Sequence, residues 1–357
     1  MKELKYSLIA ATLAAGCLQI TTASAVDIRL SGFLNAIGNV HDADQMRYLD
    51  AVDDTWGFTN TSFGLNAASK IDKNLSVAAQ LFGSGNGDNV FIDWAFATYK
   101  LDDSSVIKFG KIKYAGNLYS ETVDVGFIFP WVRAPESIYS EAGGLFFEAY
   151  EGAAYKFTGG DDIELGFEFY YGATDEEEEE GGIEGRDQMF GLVLSAENDI
   201  GKVMLSYNDS VITSIDTSGA TPVEGGENGL HSTIISVGAE ANLDNLQILA
   251  EVSQSELENE PDEDRQGWYV TLAYSIGEWK PHFTIQEYAV DDASVEQSSM
   301  TLGINKRLGT NAVLKLEAQK VDDIIGNGFF EDALLDTTDL ADGSSVNMFN
   351  IALNIVF

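Results

Sequence analysis

The chain ends on "NIALNIVF" (350–357), in which bulky apolar side chains alternate with small or amide ones. A period of two is typical of a β-strand, because successive side chains point to opposite faces. This strand would have lipid or a core on one side and a more polar space on the other. Its apolar face would carry Phe349, Ile351, Leu353, Ile355 and Phe357, and its other face Met348, Asn350, Ala352, Asn354 and Val356.

The first 25 residues have the layout of a secretory signal peptide. Two lysines precede the apolar run "SLIAATLAAGCLQI" (7–20), and "ASA" (23–25) is a small-residue cleavage site. A lipoprotein reading of "LAAGC" is disfavoured because a better cleavage site follows. Cys17 is the only cysteine, so the mature chain, 26–357, would have neither a disulfide framework nor a thiolate metal site.

Composition narrows the class of protein. The formal net charge is −38, from 58 acidic and 20 basic residues. No stretch of the mature part approaches the roughly 18 continuous apolar residues of a transmembrane helix. The chain is therefore secreted, periplasmic or an outer-membrane barrel, and its acidity predicts attraction for cations and argues against nucleic acid.

Strand-like segments recur along the whole mature chain, about sixteen of them, an even number as in closed bacterial barrels. Short turns such as "DKN" (72–74) and "LGTN" (308–311) alternate strictly with longer, mostly polar connections such as 39–60. A sandwich has no reason to place every short turn at one end, whereas an outer-membrane barrel has short periplasmic turns and long extracellular loops. The predicted strands are 27–38, 61–72, 74–83, 89–101, 105–114, 145–158, 161–173, 187–198, 201–210, 230–243, 244–254, 266–277, 278–290, 295–308, 310–321 and 346–357.

The polar faces of these strands predict a water-filled lumen. In 278–290, for example, Lys280 and His282 share a face opposite Phe283 and Ile285. Charges of both signs recur on such faces, and a dry core would not tolerate them without pairing. Segments 105–114 and 145–158 do not sort into two faces, so only their position in the chain assigns them.

Together these features resemble a Gram-negative outer-membrane porin of the general-diffusion type. The resemblance rests on the layout, on "SFGLNAASKIDKNLSVAAQL" (62–81), on "SVIKFGKIKY" (105–114) and on the terminal phenylalanine. It implies one domain (26–357) and a homotrimer, with Phe357 closing the barrel against the first strand and marking the chain for the barrel-assembly machinery. The alternative is a hydrophobic edge strand ending a secreted sandwich, which would be prone to aggregation.

The resemblance also implies a constriction made by the third long connection, 115–144. It is rich in aromatic residues, and in porins the corresponding loop folds into the lumen. It carries "FPWVRAPES" (129–137) in place of the Pro-Glu-Phe-Gly-Gly signature of general porins. Some of its charges would instead cap a short helix or face solvent. The candidate constriction charges are Glu121, Asp124, Arg133, Glu136 and Glu141.

The opposite wall should carry the remaining pore-lining side chains. Lys111 stands where porins have a fifth-strand arginine, and the other candidates are Glu148, Arg29, Lys280, His282, Arg307 and Lys315. Opposed positive and negative walls would create a transverse field that orders water and admits small polar solutes. The acidic excess predicts cation preference.

Three acidic runs lie in long loops, at 175–185, 258–264 and 331–342. Their carboxylates could coordinate Ca²⁺ or Mg²⁺ and bridge these ions to lipopolysaccharide. None has the spacing of a calcium loop, so solvated loops are the favoured interpretation. No other cofactor is expected.

The sequence thus predicts passive diffusion of small hydrophilic solutes and cations through a pore in the Gram-negative outer membrane, in contact with its lipid and lipopolysaccharide. Catalysis finds little support, because His41, His231 and His282 are too scattered for a metal-ligand pattern. Two alternatives stay open. One is a non-conducting adhesin or structural barrel, and the other is a surface hydrolase using a Ser-His arrangement such as His231 beside Ser232.

Overall fold

The computed structural model describes residues 27–49, 52–85, 90–140, 147–177, 182–216, 223–224, 227–261, 264–290, 295–332 and 340–357. Sixteen long strands form its main sheet. Within the described residues, no helix is long and apolar enough to span a membrane. The strands are β1 (Ile28–His41), β2 (Ser62–Lys70), β3 (Leu75–Ser84), β4 (Val90–Lys100), β5 (Ser105–Lys113), β6 (Ala149–Gly159), β7 (Glu164–Glu177), β8 (Gly182–Asn198), β9 (Gly201–Asp216), β10 (His231–Leu243), β11 (Leu246–Leu257), β12 (Arg265–Tyr274), β13 (Trp279–Val290), β14 (Glu296–Arg307), β15 (Ala312–Ile325) and β16 (Ser344–Val356).

The sheet closes on itself. Each strand pairs antiparallel with its chain neighbours, and β16 pairs with β1 in a register that places Val356 opposite Phe33. Beyond β16, the N–H of Phe357 donates to the carbonyl of Gly32 at 3.0 Å, and the N–H of Gly32 returns a bond of 2.8 Å. The predicted closed antiparallel barrel of about sixteen strands is therefore confirmed.

The strand ends differ from the predicted ones mainly at the long-loop end. β9 runs to Asp216 where 210 was predicted, and β8 starts at Gly182 rather than 187. The pair Val223–Glu224 adds a short strand to the end of β9. The added end of β9 reads "VITSID" (211–216), where the adjacent apolar residues Val211 and Ile212 interrupt the alternation of the rest of the strand. The added start of β8 reads "GIEGR" (182–186) and has one large apolar residue, so the sequence pattern reveals neither extension. β6 starts only at Ala149 where 145 was predicted; Phe147 and Glu148 precede the strand, and 145–146 lie outside the described residues.

The two faces of the wall follow the alternation. In β16, Phe349 is 53% exposed on the outside, whereas Ala352 and Asn354 are fully buried on the inside. The structure also resolves the two strands that the sequence left open. Lys108 and Ile112 of β5 point inward with Tyr150 and Ala154 of β6, and the exposed Phe109 points outward.

A second, two-stranded sheet lies at the long-loop end and was not predicted. Met46–Tyr48 pairs antiparallel with Phe330–Asp332, which joins the first long connection to the last one. Tyr48 and Phe330 are buried with Tyr288 of β13, in an apolar cluster that also includes Val321 and Met348. This cluster fills the β13–β16 side of the outer mouth.

Candidate pore constriction

The connection after β5 folds into the barrel. Its described part contains a 3₁₀ turn, Ser120–Thr122, and a short helix, α1 (Glu136–Tyr139). Phe129, Trp131 and Ile138 are buried there against Leu249 and Tyr269 of the barrel wall. Because these large apolar side chains pack on the wall rather than face solvent, the loop has a fixed position inside the lumen.

The loop is fastened most heavily to β11–β16, which we call the anchoring wall. The Lys315 ammonium is fully buried and donates to the backbone carbonyls of Gly126, Phe129 and Trp131 at 2.5, 2.9 and 2.5 Å. A buried ammonium is stable only when its donors are satisfied, and these three carbonyls satisfy them. Glu317, two residues further along, accepts from the N–H of Val132 at 2.7 Å.

Neutral side chains of the anchoring wall extend this contact. The Trp131 indole N–H donates to the hydroxyls of Thr271 and Thr284 at 2.9 and 3.0 Å. Gln286 donates to the Glu136 carboxylate at 2.6 Å and accepts from the N–H of Ser137 at 3.0 Å. A segment without regular structure therefore has its polar groups paired with the wall.

Glu251 of β11 holds both ends of the described loop. Its carboxylate accepts from the N–H of Leu118 at 2.9 Å and from the Tyr139 hydroxyl at 2.6 Å. Burial, reinforced by this carboxylate, raises the pKa of Tyr139 well above its ordinary value. The Tyr119 hydroxyl donates to Glu240 at 2.8 Å in the same way, and burial also raises its pKa.

A four-charge cluster ties the loop to β4–β6. The Lys113 ammonium lies 3.1 Å from Asp93, 2.8 Å from Asp124 and 2.6 Å from Glu148. Burial, followed by repulsion from Glu148, raises the pKa of Asp124 to about 7. The three carboxylates offer oxygens within 4.8 Å of one another, a spacing that suits a metal ion. Lys113 already supplies a positive charge among them.

The opposite side of the loop faces β5–β9, which we call the open wall, across a charged gap. Glu121 of the loop is 3.4 Å from Lys108, and its side chain is 41% exposed. Lys156 and Glu168 pair at 3.6 Å behind them. Together with Lys202 of β9, Glu121, Lys156 and Glu168 line a cavity of about 60 Å³.

The other predicted site residues are dispersed. Lys111 lies on the outer face of β5, where its ammonium donates to the carbonyl of Ile92, so it does not line the pore. His282 is buried 3.5 Å from Glu317, behind the loop. Arg133 pairs with Glu136 at 3.1 Å on the anchoring wall, away from the charged gap.

Three more of the predicted pore-lining residues lie at the short-turn end of the lumen. Lys280 donates to Gln247 at 2.6 Å near that end. Arg29 and Arg307 lie at the same end of their strands, on the inward-facing positions of β1 and β14. Glu141 lies outside the described residues, as do the signal-peptide segment 1–25 and residues 178–181 of the acidic run at 175–185.

Sequence reasoning missed Lys108 and Lys113, which the structure brings into the lumen. Both belong to "KFGKIK" (108–113), in which a period of two puts Lys111 and Lys113 on one face and Lys108 on the other. The structure instead places Lys111 outward and Lys113 inward, so the period could not decide which of the three lysines point inward. Lys113 is the last residue of β5, where the chain turns into the loop. Its acidic partners come from three separate segments, and no local signal connects them.

Solved structures with this architecture are barrels of comparable length. The anion-selective porin from Comamonas acidovorans superposes with a TM-score of 0.64 at 12% identity, over 93% of this chain and 100% of that one. The outer-membrane channel DcaP of Acinetobacter baumannii gives 0.61 at 14% identity, over 94% and 99%. The chain has the fold of an outer-membrane porin. OmpT of Vibrio cholerae in its trimer form gives 0.58 at 14% identity, over 94% and 100%.

Sequence comparison adds no family. Neither a protein-family model nor a curated protein matches the chain. The outer surface of the barrel nevertheless indicates where the protein resides. Large apolar side chains such as Leu302 (66% exposed), Phe349 and Leu30 are exposed on the outer wall of a closed barrel that leaves no strand edge unpaired. Such a barrel suits lipid, and this porin-like barrel belongs in the Gram-negative outer membrane.

Proposed function

We propose that the chain is a porin that lets small hydrophilic solutes diffuse through a water-filled, cation-preferring channel. The passage runs along the charged gap between Glu121 and the open wall. The observation that carries the proposal is the asymmetry of the loop's contacts. Toward the anchoring wall it is closed by buried hydrogen bonds. Toward the open wall its start is also buried, because Tyr114 and Ala115 pack on β6–β9 and the Gly116 carbonyl accepts from Ser206, but at Glu121 it presents partly exposed ionic side chains.

The gap has the chemistry of a polar constriction. Glu121 on the loop faces Lys108, with Lys156 and Lys202 behind it on the wall. Opposite charges on facing sides of a narrow lumen create a transverse field, in which water and polar solutes orient and apolar solutes are disfavoured. This supports passage of small hydrophilic solutes.

Cation preference follows from the charge at the outer mouth. Six consecutive acidic residues, 175–180, begin at the long-loop end of β7, which runs to Glu177, and the run at 258–264 follows the end of β11 at Leu257. The resulting negative potential concentrates cations at the entrance and depletes anions. Acidic loops of this kind could also bind Ca²⁺ or Mg²⁺ between the barrel and lipopolysaccharide.

Single-channel recording in a planar bilayer tests the function. The purified, heat-modifiable barrel should give ohmic conductance steps, and its reversal potential under a KCl gradient should have the sign of cation selectivity. Anion selectivity would contradict the cation preference alone. A folded barrel that gives no steps would contradict the channel and favour the non-conducting adhesin or structural barrel.

We propose no enzymatic activity. His231 lies 3.3 Å from Asp209, which gives half of a hydrolase arrangement. Ser232, however, is buried on the lumen face while the exposed His231 is on the other, because neighbours in a strand point to opposite sides. The two therefore cannot act on one substrate. Lipid hydrolysis by the purified protein would contradict this.

Assembly as a homotrimer is also proposed, and the outer wall supports it. Lys111 and Glu151 are directly opposed on the outer faces of β5 and β6, about six residues, or roughly 15 Å along the barrel axis, from the short-turn end. Charges at that depth cost about 2–4 kcal/mol against lipid, but not against a polar partner surface. A second copy of the barrel would cover them.

The double variant Lys111→Leu, Glu151→Leu tests that interface. If the pair faces a neighbouring copy, the variant should lose trimers on unheated gels and keep its heat-modifiable monomer. Lys320→Leu on the outer face of β15 is the matched control and should keep the wild-type assembly. Unchanged trimers in the double variant would contradict the assigned interface.

We also propose that Phe357, which completes the barrel closure with Gly32, is the residue by which the barrel-assembly machinery recognises the chain.

A further inference from the structure

A second cavity lies beneath the loop at the short-turn end of the anchoring wall. Its volume is about 320 Å³, room for roughly ten water molecules. We call it the inner chamber. It is separate from the charged gap at the open wall, because the two cavities share no lining residue. Its lining residues include Phe127, Phe129, Glu278, Lys280, Asn305 and Arg307.

Two cations line the inner chamber, Lys280 and Arg307. Among the described residues, neither has a carboxylate within 4.0 Å, whereas Lys108, Lys113 and Lys156 of the lumen each form an ion pair. Glu278 also lines the chamber, but its carboxylate pairs with Lys306 at 2.6 Å, so the two neighbouring cations have no acidic partner there. Such a pair attracts an anion.

The surroundings hold these cations in place without neutralising them. The Lys280 ammonium donates to Gln247 at 2.6 Å, and the side-chain amide of Gln247 donates in turn to Glu240 at 2.8 Å. Gln247 therefore stands between the lysine and the nearest acid. The Arg307 guanidinium lies 6.0 Å from the centre of the Phe127 ring.

We propose that the inner chamber binds a small aromatic carboxylate. The carboxylate would accept from Arg307 and Lys280. The aromatic ring would pack on Phe127, whose ring centre lies 6.0 Å from the Arg307 guanidinium. This site goes beyond the channel function, since binding does not require conduction.

Isothermal titration of the folded full-length barrel in detergent with 3-phenyllactate tests the site. We expect saturable one-site binding, weakened about tenfold or more by Arg307→Gln and by Lys280→Gln, because each variant removes a charge-assisted hydrogen bond. Lys202→Gln, which neutralises a lysine in the other cavity, should bind like the wild type.

Three results would overturn the proposal: no saturable binding by the wild type, equal affinity in all four proteins, or equally tight binding of inorganic phosphate. Heat-modifiable migration verifies folding, and Lys280→Gln carries the test alone if Arg307→Gln does not fold. Conductance of the same preparation separates the two proposals. Binding without conductance contradicts only the channel, and conductance without binding contradicts only the site.

Discussion

The anchoring wall and the open wall make different kinds of contact with the same loop. Along the anchoring wall, buried groups such as Lys315 and Trp131 are fully satisfied by hydrogen bonds at 2.5–3.0 Å. Along the open wall, Glu121 and Lys108 meet at 3.4 Å and the acid stays partly exposed. Buried, satisfied contacts fix a structure, whereas exposed ion pairs contribute little to stability but much to the local field. The comparison teaches that the anchoring wall positions the loop, and it supports our proposal that solutes pass along the open wall.

Removing the central anchor should have the largest effect. Lys315→Met leaves the carbonyls of Gly126, Phe129 and Trp131 without their donor, at a cost of about 3–5 kcal/mol. We expect a lower unfolding temperature on heat-modifiability gels and a conductance at least twofold larger, because the loop leaves the wall. Lys202→Met on the open wall is the matched control for the unfolding temperature. Wild-type stability in Lys315→Met would contradict the anchoring role.

Neutralising the loop acid at the gap should alter selectivity without altering stability. Glu121→Gln removes the negative charge that faces Lys108, so the cation-to-anion permeability ratio should fall about twofold. Glu136→Gln, a change on the same loop but on the anchoring wall, is the control. Reversal potentials under a KCl gradient measure both. An equal loss in the two variants would mean that the passage does not follow the open wall.

Acidification should weaken cation preference with a midpoint near neutral pH. The pKa of Asp124 is raised to about 7, so its carboxyl is ionised at about pH 8.5 and protonated at about pH 5.5. Protonation of Asp124 removes one negative charge from the cluster around Lys113. Asp124→Asn should remove this pH dependence. A midpoint near 4, the ordinary range of an aspartate, would instead assign the effect to exposed loop acids.

The smallest effect should come from removing the indole N–H of Trp131. Trp131→Phe removes the N–H that bonds Thr271 and Thr284, and these hydroxyls still bond one another at 2.8 Å. We expect a loss of about 1 kcal/mol in unfolding free energy and an unchanged conductance. Trp56→Phe, at a position 60% exposed, should cost nothing measurable. A conductance change in Trp131→Phe would show that the anchoring wall also shapes the passage.

Local pattern identified part of the candidate site. The loop was recognisable because its aromatic residues exceed what an exposed connection needs, and Glu121 and Asp124 were named from it. Their partners were not, because Lys108, Lys111 and Lys113 read alike in sequence while the structure places only the first and last in the lumen. Lys113 points into the lumen where the chain turns from β5 into the loop, and hydrophobic periodicity gives no sign of that turn.

The sequence by itself determined the barrel, since alternating faces and alternating turn lengths are local properties that repeat in every strand. Only the tertiary structure decided what fills it. Lys315 bonds Gly126 across 189 residues of chain. Gly267 lacks a Cβ that would lie 1.8 Å from the carbonyl oxygen of Ser137, so the loop can approach β12 closely. Such contacts depend on the fit of distant surfaces, and no short stretch of sequence encodes that fit.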